Sequence, residues 1–207
     1  MKTIAYRFVK RLFDVLVGLI GCLFLIPLTI IIKLVYILSG DFHRIFFAQS
    51  RVGLSGKPFK IYKYRSMVWD AEEQLQLLLK NEKYHNQWEK FQKIDNDPRI
   101  TKIGKILRKF SLDEFPQFFN LLLGQMSFVG PRPLVPGELK EHKGKPAIYE
   151  SVKPGITGYW AVRGRSKNDY EDRLKMEYYY IENRSLILDI KIIFWTFGAV
   201  VKKDGAK

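Results

Sequence analysis

Thiols and imidazoles are scarce in this chain. Its 207 residues include one cysteine, Cys22, and three scattered histidines, His43, His85 and His142. One thiol excludes a disulfide framework and a thiolate metal site, and a histidine metal centre would have to be assembled entirely by the fold. Acidic residues are also in deficit, with 21 Asp and Glu against 35 Lys and Arg, a net charge of +14 and a pI near 9.7. Such a balance calls for an anionic partner: nucleic acid, lipid headgroups or a phosphorylated substrate. Internal repeats and low-complexity tracts are absent. Hydrophobic residues at 47% and aromatics at 14% exclude a disordered chain, while the interspersed charge excludes a polytopic transporter. What remains is one compact, partly membrane-associated unit.

Charge itself is missing from Val15 to Ile32, which reads VLVGLIGCLFLIPLTIII, and LVYILSG follows after Lys33. This run has the length of a membrane segment. It is too long for a signal h-region, and no small-residue cleavage site follows. Lys2, Arg7, Lys10 and Arg11 precede it, and Lys33, Arg44, Arg51, Lys57, Lys60 and Lys63 follow. Both flanks carry the cytoplasmic signature, which predicts a helix that enters the bilayer and turns back. Pro27 supplies the break, because it lacks an N–H and its ring clashes with the preceding turn. A Pro-kinked span is the alternative.

Beyond the apolar run, GLSGKP reads as a turn and FKIYKYRSM as a strand. At period 2, Phe59, Ile61, Lys63 and Arg65 share a face, and two cations about 7 Å apart can straddle a diphosphate. A solvated basic strand fits the same pattern. Residues 69–93 read as an amphipathic helical excursion that gives support rather than chemistry. Ile103, Ile106, Leu107 and Phe110 fall at i, i+3, i+4 and i+7 among Lys102, Lys105, Arg108 and Lys109. That spacing suits an interfacial helix or one docked on a core. Leu186 to Val201 is apolar but short for a span, so a core or interfacial helix is expected.

Between these helices stands SLDEFPQ, followed by FFNLLL and Gly124. Pro116 suits a first helical turn and Gly124 a C-terminal cap. Ser111 and Glu114 match a capping box, and Asp113 is a good N-cap. A second reading is chemical. Two adjacent carboxylates among Arg108, Lys109 and the Arg132 of VGPRP can face a phosphate whose charge the arginines offset, and a divalent cation on one carboxylate completes the neutralisation. KPGITG and Arg163-Gly164-Arg165 add a second cluster of glycines and cations.

In order, KRLFD, the Pro27 segment, FKIYKYRSM, DPRITKIGKILRKFSLDEFPQ, MSFVGPRP, KPGITGYW, GR and IENRSLILDIKII resemble the bacterial sugar transferases, the monotopic polyprenyl-phosphate phosphoglycosyl transferases. The resemblance runs from Lys10 to about Ala206. It implies an α+β, mainly helical fold, with a re-entrant membrane helix over 1–40 and a small cytosolic catalytic domain over 41–207 seated on amphipathic interfacial helices. It further implies transfer of a sugar 1-phosphate from a UDP-sugar to undecaprenyl phosphate, with release of UMP, at the cytoplasmic face of a bacterial inner membrane. This is the first membrane step of exopolysaccharide, capsule or related glycan assembly. Asp113 takes the place of the family nucleophile and Glu114 that of the Mg²⁺ ligand. Lys63, Arg65, Arg108, Arg132, Arg163 and Arg165 fall on the phosphate- and uridine-binding elements.

Gln125, Ala161 and Arg184 depart from the usual pattern, the last two at nucleotide or sugar contacts. The 69–95 segment is similar to that of hexose-transferring members, so Gal or Glc is expected. The resemblance also implies a stand-alone catalytic unit without the N-terminal transmembrane helices of longer members. Its partners would be the bilayer and not nucleic acid, with room for a homo-oligomer and downstream glycosyltransferases. A non-catalytic basic protein binding anionic lipid or nucleic acid is the rival, and its activity would survive loss of Asp113.

Overall fold

The computed structural model describes residues 4–91, 94–141, 144–164 and 170–201. Helix α1 (Ile4–Leu38) leads into the hairpin of β1 (Phe46–Val52) and β2 (Pro58–Tyr64). The two strands pair antiparallel from Phe46 opposite Tyr64 to Val52 opposite Pro58. The expected excursion forms α2 (Ala71–Leu78) and α3 (Glu82–Phe91). Asn81 separates them, its Oδ1 accepting the Lys83 N–H at 3.0 Å. Next come α4 (Lys102–Lys109), α5 (Gln117–Leu122), β3 (Ser127–Val129), α6 (Glu138–Glu141), α7 (Pro146–Tyr149) and β4 (Gly155–Thr157). The last described helices are α8 (Tyr159–Arg163), α9 (Tyr170–Asn183) and α10 (Leu186–Val201). The fold is thus mainly helical with a little sheet, as expected. Strands β3 and β4 pair in parallel, Ser127 opposite Gly155 and Val129 opposite Thr157. Their approach requires glycine, since a Cβ on Gly155 would lie 2.1 Å from the Gly130 nitrogen.

Helix α1 has two faces of different character. Tyr6, Lys10, Asp14, Gly18, Gly21, Leu25, Thr29, Ile32 and Tyr36 recur every three or four residues and form one stripe against the domain. At one end the Tyr6 hydroxyl and Lys10 Nζ donate to Asp189 Oδ2 at 3.1 and 2.8 Å. Asp14 Oδ1 accepts from the Phe128 N–H and Ser127 hydroxyl at 2.8 and 3.1 Å. Arg11 caps the C-terminal end of α5, donating to the Leu121 and Leu122 carbonyls at 2.8 Å each. At the other end Tyr36 is fully buried and donates to the Arg65 carbonyl. Contact with α5 is close enough that a Cβ on Gly21 would fall 2.2 Å from the Phe118 ring. On the opposite face Leu12, Leu16, Leu19, Leu23, Ile26, Ile30 and Leu34 are exposed.

Pro27 does not divide α1, which corrects the expected break: the 35-residue helix runs through it. A proline removes one helical hydrogen bond, a loss that membrane helices tolerate. The turn after it is docked on β2: Thr29 Oγ1 donates to the Leu25 carbonyl at 2.6 Å, and the Tyr64 hydroxyl packs 2.6 Å from Thr29 Oγ1.

Three apolar clusters complete the body. Ile32, Tyr36, Ile45, Tyr64 and Leu107 join α1 to β2 and α4. Phe59, Ile61, Leu121 and Met126 join β2 to α5. Val129, Leu134, Leu139, Tyr149, Leu174, Tyr180, Ile181 and Ile192 gather β3 and the later helices. Helix α4 turns Gly104 and Leu107 inward and leaves Ile106 and Phe110 exposed.

Candidate active site

Strand β2 and the turn between α4 and α5 meet at a salt bridge. Lys63 Nζ donates to Glu114 Oε1 at 2.7 Å. Asp113 and Glu114 occupy a single 3₁₀ turn, Leu112–Glu114, with Leu112 and Phe115 packed against the α1/α4 cluster on either side. Ser111 before them is left-handed, with φ 55°. For a residue with a Cβ this conformation costs about 1–3 kcal/mol and is retained where the surroundings demand it.

The capping reading of this segment is corrected. Ser111 makes no side-chain cap, and Glu114 reaches across to Lys63 instead. Pro116 sits just before α5 as its cap residue, because the dyad occupies a turn of its own. Gly124 does follow α5 with φ 71°, as expected.

Asn120 fixes how α5 meets β2. Fully buried, its Oδ1 accepts the Tyr62 N–H at 3.1 Å, while its Nδ2 donates to the Lys60 carbonyl and Gln125 Oε1 at 2.7 Å each. The amide therefore stands in for a neighbouring strand and sets the height at which Lys63 faces Glu114.

The two carboxyls are pushed in opposite directions. Burial raises Asp113 above its ordinary range, the Glu114 charge adds to it, and Lys63 and Arg108 oppose. Burial also works against ionised Glu114, but Lys63, then Arg132 and Gln117, outweigh it and hold this carboxyl low. Pairs split in this way are a mark of catalytic carboxylates.

Lys63, Glu114 and Arg132 line one cleft with Arg51, Gln117, Gly130, Trp160 and Glu177. Arg132 is fixed from both sides by its own backbone. Its N–H donates to Glu177 Oε1 at 3.0 Å, and its carbonyl accepts from the Tyr149 hydroxyl at 2.8 Å. Pro131 accepts from the Gly155 N–H at 2.8 Å, and Pro133 from Arg51 Nη1 at 3.1 Å. Arg108 donates from Nε to the Ser66 hydroxyl at 2.9 Å, and its charge is felt by Asp113.

Other expected positions lie elsewhere. Strand β2 ends at Tyr64, so the alternation stops and Arg65 turns inward. It is buried, pairs with Asp41 at 2.8 Å and lies over the Tyr36 ring. This corrects the diphosphate-straddling role given to it. Arg163 packs its guanidinium 4.0 Å from the centre of the Trp195 ring, outside the cleft lining. Arg165 lies outside the described residues.

Sequence reasoning also passed over Asn120, Gln117, Trp160 and Glu177, and took Arg51 only as part of a basic flank. For Glu177 a signal existed: it falls three residues after Leu174 and four before Ile181, on the stripe that α9 buries.

Among the described residues no three His, Cys, Asp or Glu side chains converge, so a dedicated protein cage for a metal is absent. The adjacent Asp113 and Glu114 carboxylates still match the donor set that Mg²⁺ uses when substrate phosphates complete its shell.

Comparison with known proteins agrees with this geometry. A UDP-galactose-lipid carrier transferase of Erwinia amylovora is 42% identical over 203 residues, 97% of this chain and 42% of that protein. An undecaprenyl-phosphate galactose phosphotransferase of Salmonella typhimurium is 43% identical over 201 residues, 97% and 42% of the two chains. The chain thus spans less than half the length of these relatives. The exopolysaccharide production protein ExoY of Sinorhizobium fredii is 37% identical over 198 residues, 95% of this chain and 87% of that one. The sequence model for bacterial sugar transferases matches residues 5–203, a stretch that holds α1, the carboxylate pair and the arginine-bearing cleft alike, and the chain belongs to that family.

Proposed function

We propose that this chain transfers a hexose 1-phosphate, of galactose or glucose, from a UDP-sugar to undecaprenyl phosphate. The observation that carries the reading is the split carboxyl pair, Glu114 lining a cleft with the cations Lys63 and Arg132 and Asp113 next to it in the same turn. Asp113 Oδ attacks the phosphorus that bears the sugar. The bond from that phosphorus to the bridging oxygen breaks, and its electron pair departs with UMP. The phospho-sugar remains on Asp113 until an oxygen of undecaprenyl phosphate attacks the same phosphorus and displaces the carboxylate. Two steps on one carboxylate suit a water-soluble donor and a lipid acceptor that arrive from different phases. The galactose in the names of two relatives favours a hexose.

Lys63 orients Glu114 and shields its charge from the nucleophile. Arg132, on its fixed loop, faces the transferred phosphoryl group, and Arg108 offsets charge beside Asp113. Glu114, with Asp113 beside it, would hold Mg²⁺, which when bound supplies charge neutralisation at the diphosphate.

The membrane seat follows from exposed apolar surface. The outer face of α1, Ile106 and Phe110 of α4, Phe119 of α5 with Leu123 after it, and Ile187, Ile190 and Phe194 of α10 are all exposed. Ile106, Phe110, Phe119 and Leu123 flank the dyad turn, so a polyprenyl chain lying in the bilayer reaches Asp113 from that side. Both ends of α1 are tied to the catalytic body, at Asp189 and at Arg65. That supports a helix embedded without carrying either end across, and the basic flanks on both sides of the apolar run favour the cytoplasmic face. Some basic side chains are spent on internal partners, as in Lys10 with Asp189 and Arg99 with Asp97. The test is UMP release with undecaprenyl phosphate across a panel of UDP-sugars. Galactose or glucose donors should turn over fastest, and no release with any UDP-sugar would overturn the reading.

A further inference from the structure

Among the described residues five buried side-chain polar atoms have no hydrogen-bond partner: Arg51 Nε, Trp160 Nε1, Arg173 Nε and Nη2, and Glu177 Oε2. Buried polar groups are nearly always paired, so each such atom needs an occupant. These five are not scattered. Arg51, Trp160 and Glu177 line the cleft of Glu114 and Arg132. Arg173 reaches it through Trp160, its guanidinium carbon 5.0 Å from the ring centre.

Glu177 is the most informative member. It is 1% exposed, and its Oε1 is already taken by the Arg132 N–H at 3.0 Å. Burial pushes its carboxyl up to about 7, against the opposing pull of the Arg132 N–H, Arg173 and Arg132. Its Oε2 faces Gly158, where a Cβ would lie 3.9 Å away, and Gly158 is itself part of the cleft lining.

The unpaired atoms are mixed in kind. Trp160 Nε1 and the two arginines can only donate, whereas an ionised Glu177 Oε2 can only accept. A phosphate would satisfy the donors but oppose Glu177 in its ionised form. A hydroxyl both donates and accepts, so a ring carrying several hydroxyls serves both kinds of atom. Phosphate oxygens belong nearer Lys63 and Arg132.

We propose that this wall of the cleft receives a hydroxyl-bearing ring of the UDP-sugar, with Glu177 Oε2 accepting from one ring hydroxyl and Trp160 Nε1 donating to one. The inference rests on the proposed function. Hexose and ribose share this chemistry, and the assay separates them.

The experiment uses the full chain in lipid nanodiscs, with UDP-galactose and undecaprenyl phosphate as substrates and UDP as an inhibitor that has the ribose but no hexose. Trp160→Phe keeps an aromatic ring and removes only the donor. Glu177→Gln keeps an acceptor for Arg132 and exchanges the free oxygen for an amide. A site built to hydrogen-bond a hydroxyl loses affinity steeply when a partner is removed. KM for UDP-galactose should therefore rise about tenfold in each variant, with kcat changed much less. If the hexose is the occupant, inhibition by UDP stays as in wild type; if the ribose is, it weakens in step with KM. KM and UDP inhibition both at wild-type values in Trp160→Phe and Glu177→Gln would overturn the inference alone. So would a fall confined to melting temperature, since that marks Glu177 as a prop for Arg132 only. A wild-type chain that neither turns over UDP-galactose nor binds UDP would overturn the proposed function and this inference with it.

Discussion

Replacing Asn120 with alanine should damage both the stability and the activity of this protein, and the structure sets the scale. The side chain is fully buried and bonds to the Tyr62 N–H, the Lys60 carbonyl and Gln125. Alanine leaves two part-buried backbone groups without their partner beneath α5, at about 1–3 kcal/mol each, for a loss of about 2–6 kcal/mol. For a chain of this size each kcal/mol lowers the melting temperature by about 2–4 °C. Asn120→Ala should therefore melt at least about 4 °C below wild type. Lys60→Ala, which removes an exposed side chain and keeps the carbonyl, should change stability by no more than about 0.5 kcal/mol. Turnover of Asn120→Ala, assayed well below its melting point, should fall about tenfold or more, because Lys63 and Glu114 are brought together by the docking that Asn120 enforces. Differential scanning fluorimetry in nanodiscs and a UMP-release assay give the two readouts. Equal melting of Asn120→Ala and Lys60→Ala would refute the idea that this amide completes β2.

Other expectations follow from the site and from α1. Glu114→Gln should lose most activity and regain part of it at raised Mg²⁺, and a chelator should stop wild-type turnover; full activity in chelator would remove the metal from the account. Because burial and Glu114 raise the Asp113 carboxyl, adduct formation should fall away on the acid side at a pH above the usual carboxylate range. In Glu114→Gln that limb should move to lower pH, and a shift upward would contradict the coupling. Glu177 is raised from 4.5 to about 7, so the stability it contributes is complete below its unfolded pKa and lost as pH climbs through its folded one. The melting temperature of wild type relative to Glu177→Gln should accordingly drop between about pH 4.5 and 7. A cysteine at position 2 should be labelled only in opened vesicles, since the start of α1 is tied to the catalytic body; labelling from outside intact cells would show that α1 crosses.

The elements were easier to read in the sequence than their partners. Leu186–Val201 is a helix over the span expected, and the basic repeat at 102–110 forms α4, because hydrophobic periodicity is a local signal. The carboxylate pair and the PRP loop were legible as chemistry, since adjacent acids among arginines stand out against a capping pattern only when their neighbours are counted. Arg65 misled because strand alternation was extended one residue beyond the end of β2, where the chain turns the guanidinium toward Asp41. Pro27 misled because the local rule for proline ignores tertiary packing, here the docking of the following turn on β2, where Thr29 Oγ1 lies 2.6 Å from the Tyr64 hydroxyl. Asn120 was invisible for the same reason: its partners Tyr62 and Lys60 lie about sixty residues away, as the separations of 58 and 60 show.

The central claim is that Asp113 carries the phospho-sugar between donor and acceptor. It is tested most directly by mixing the enzyme with UDP-galactose alone, quenching, and mapping the modified residue by mass spectrometry while counting released UMP. The account predicts about one equivalent of UMP per active site, a phospho-hexose on Asp113, its discharge on adding undecaprenyl phosphate, and no adduct in Asp113→Asn. A phospho-hexose on any other residue, or UMP release that begins only once the lipid acceptor is present, would contradict it.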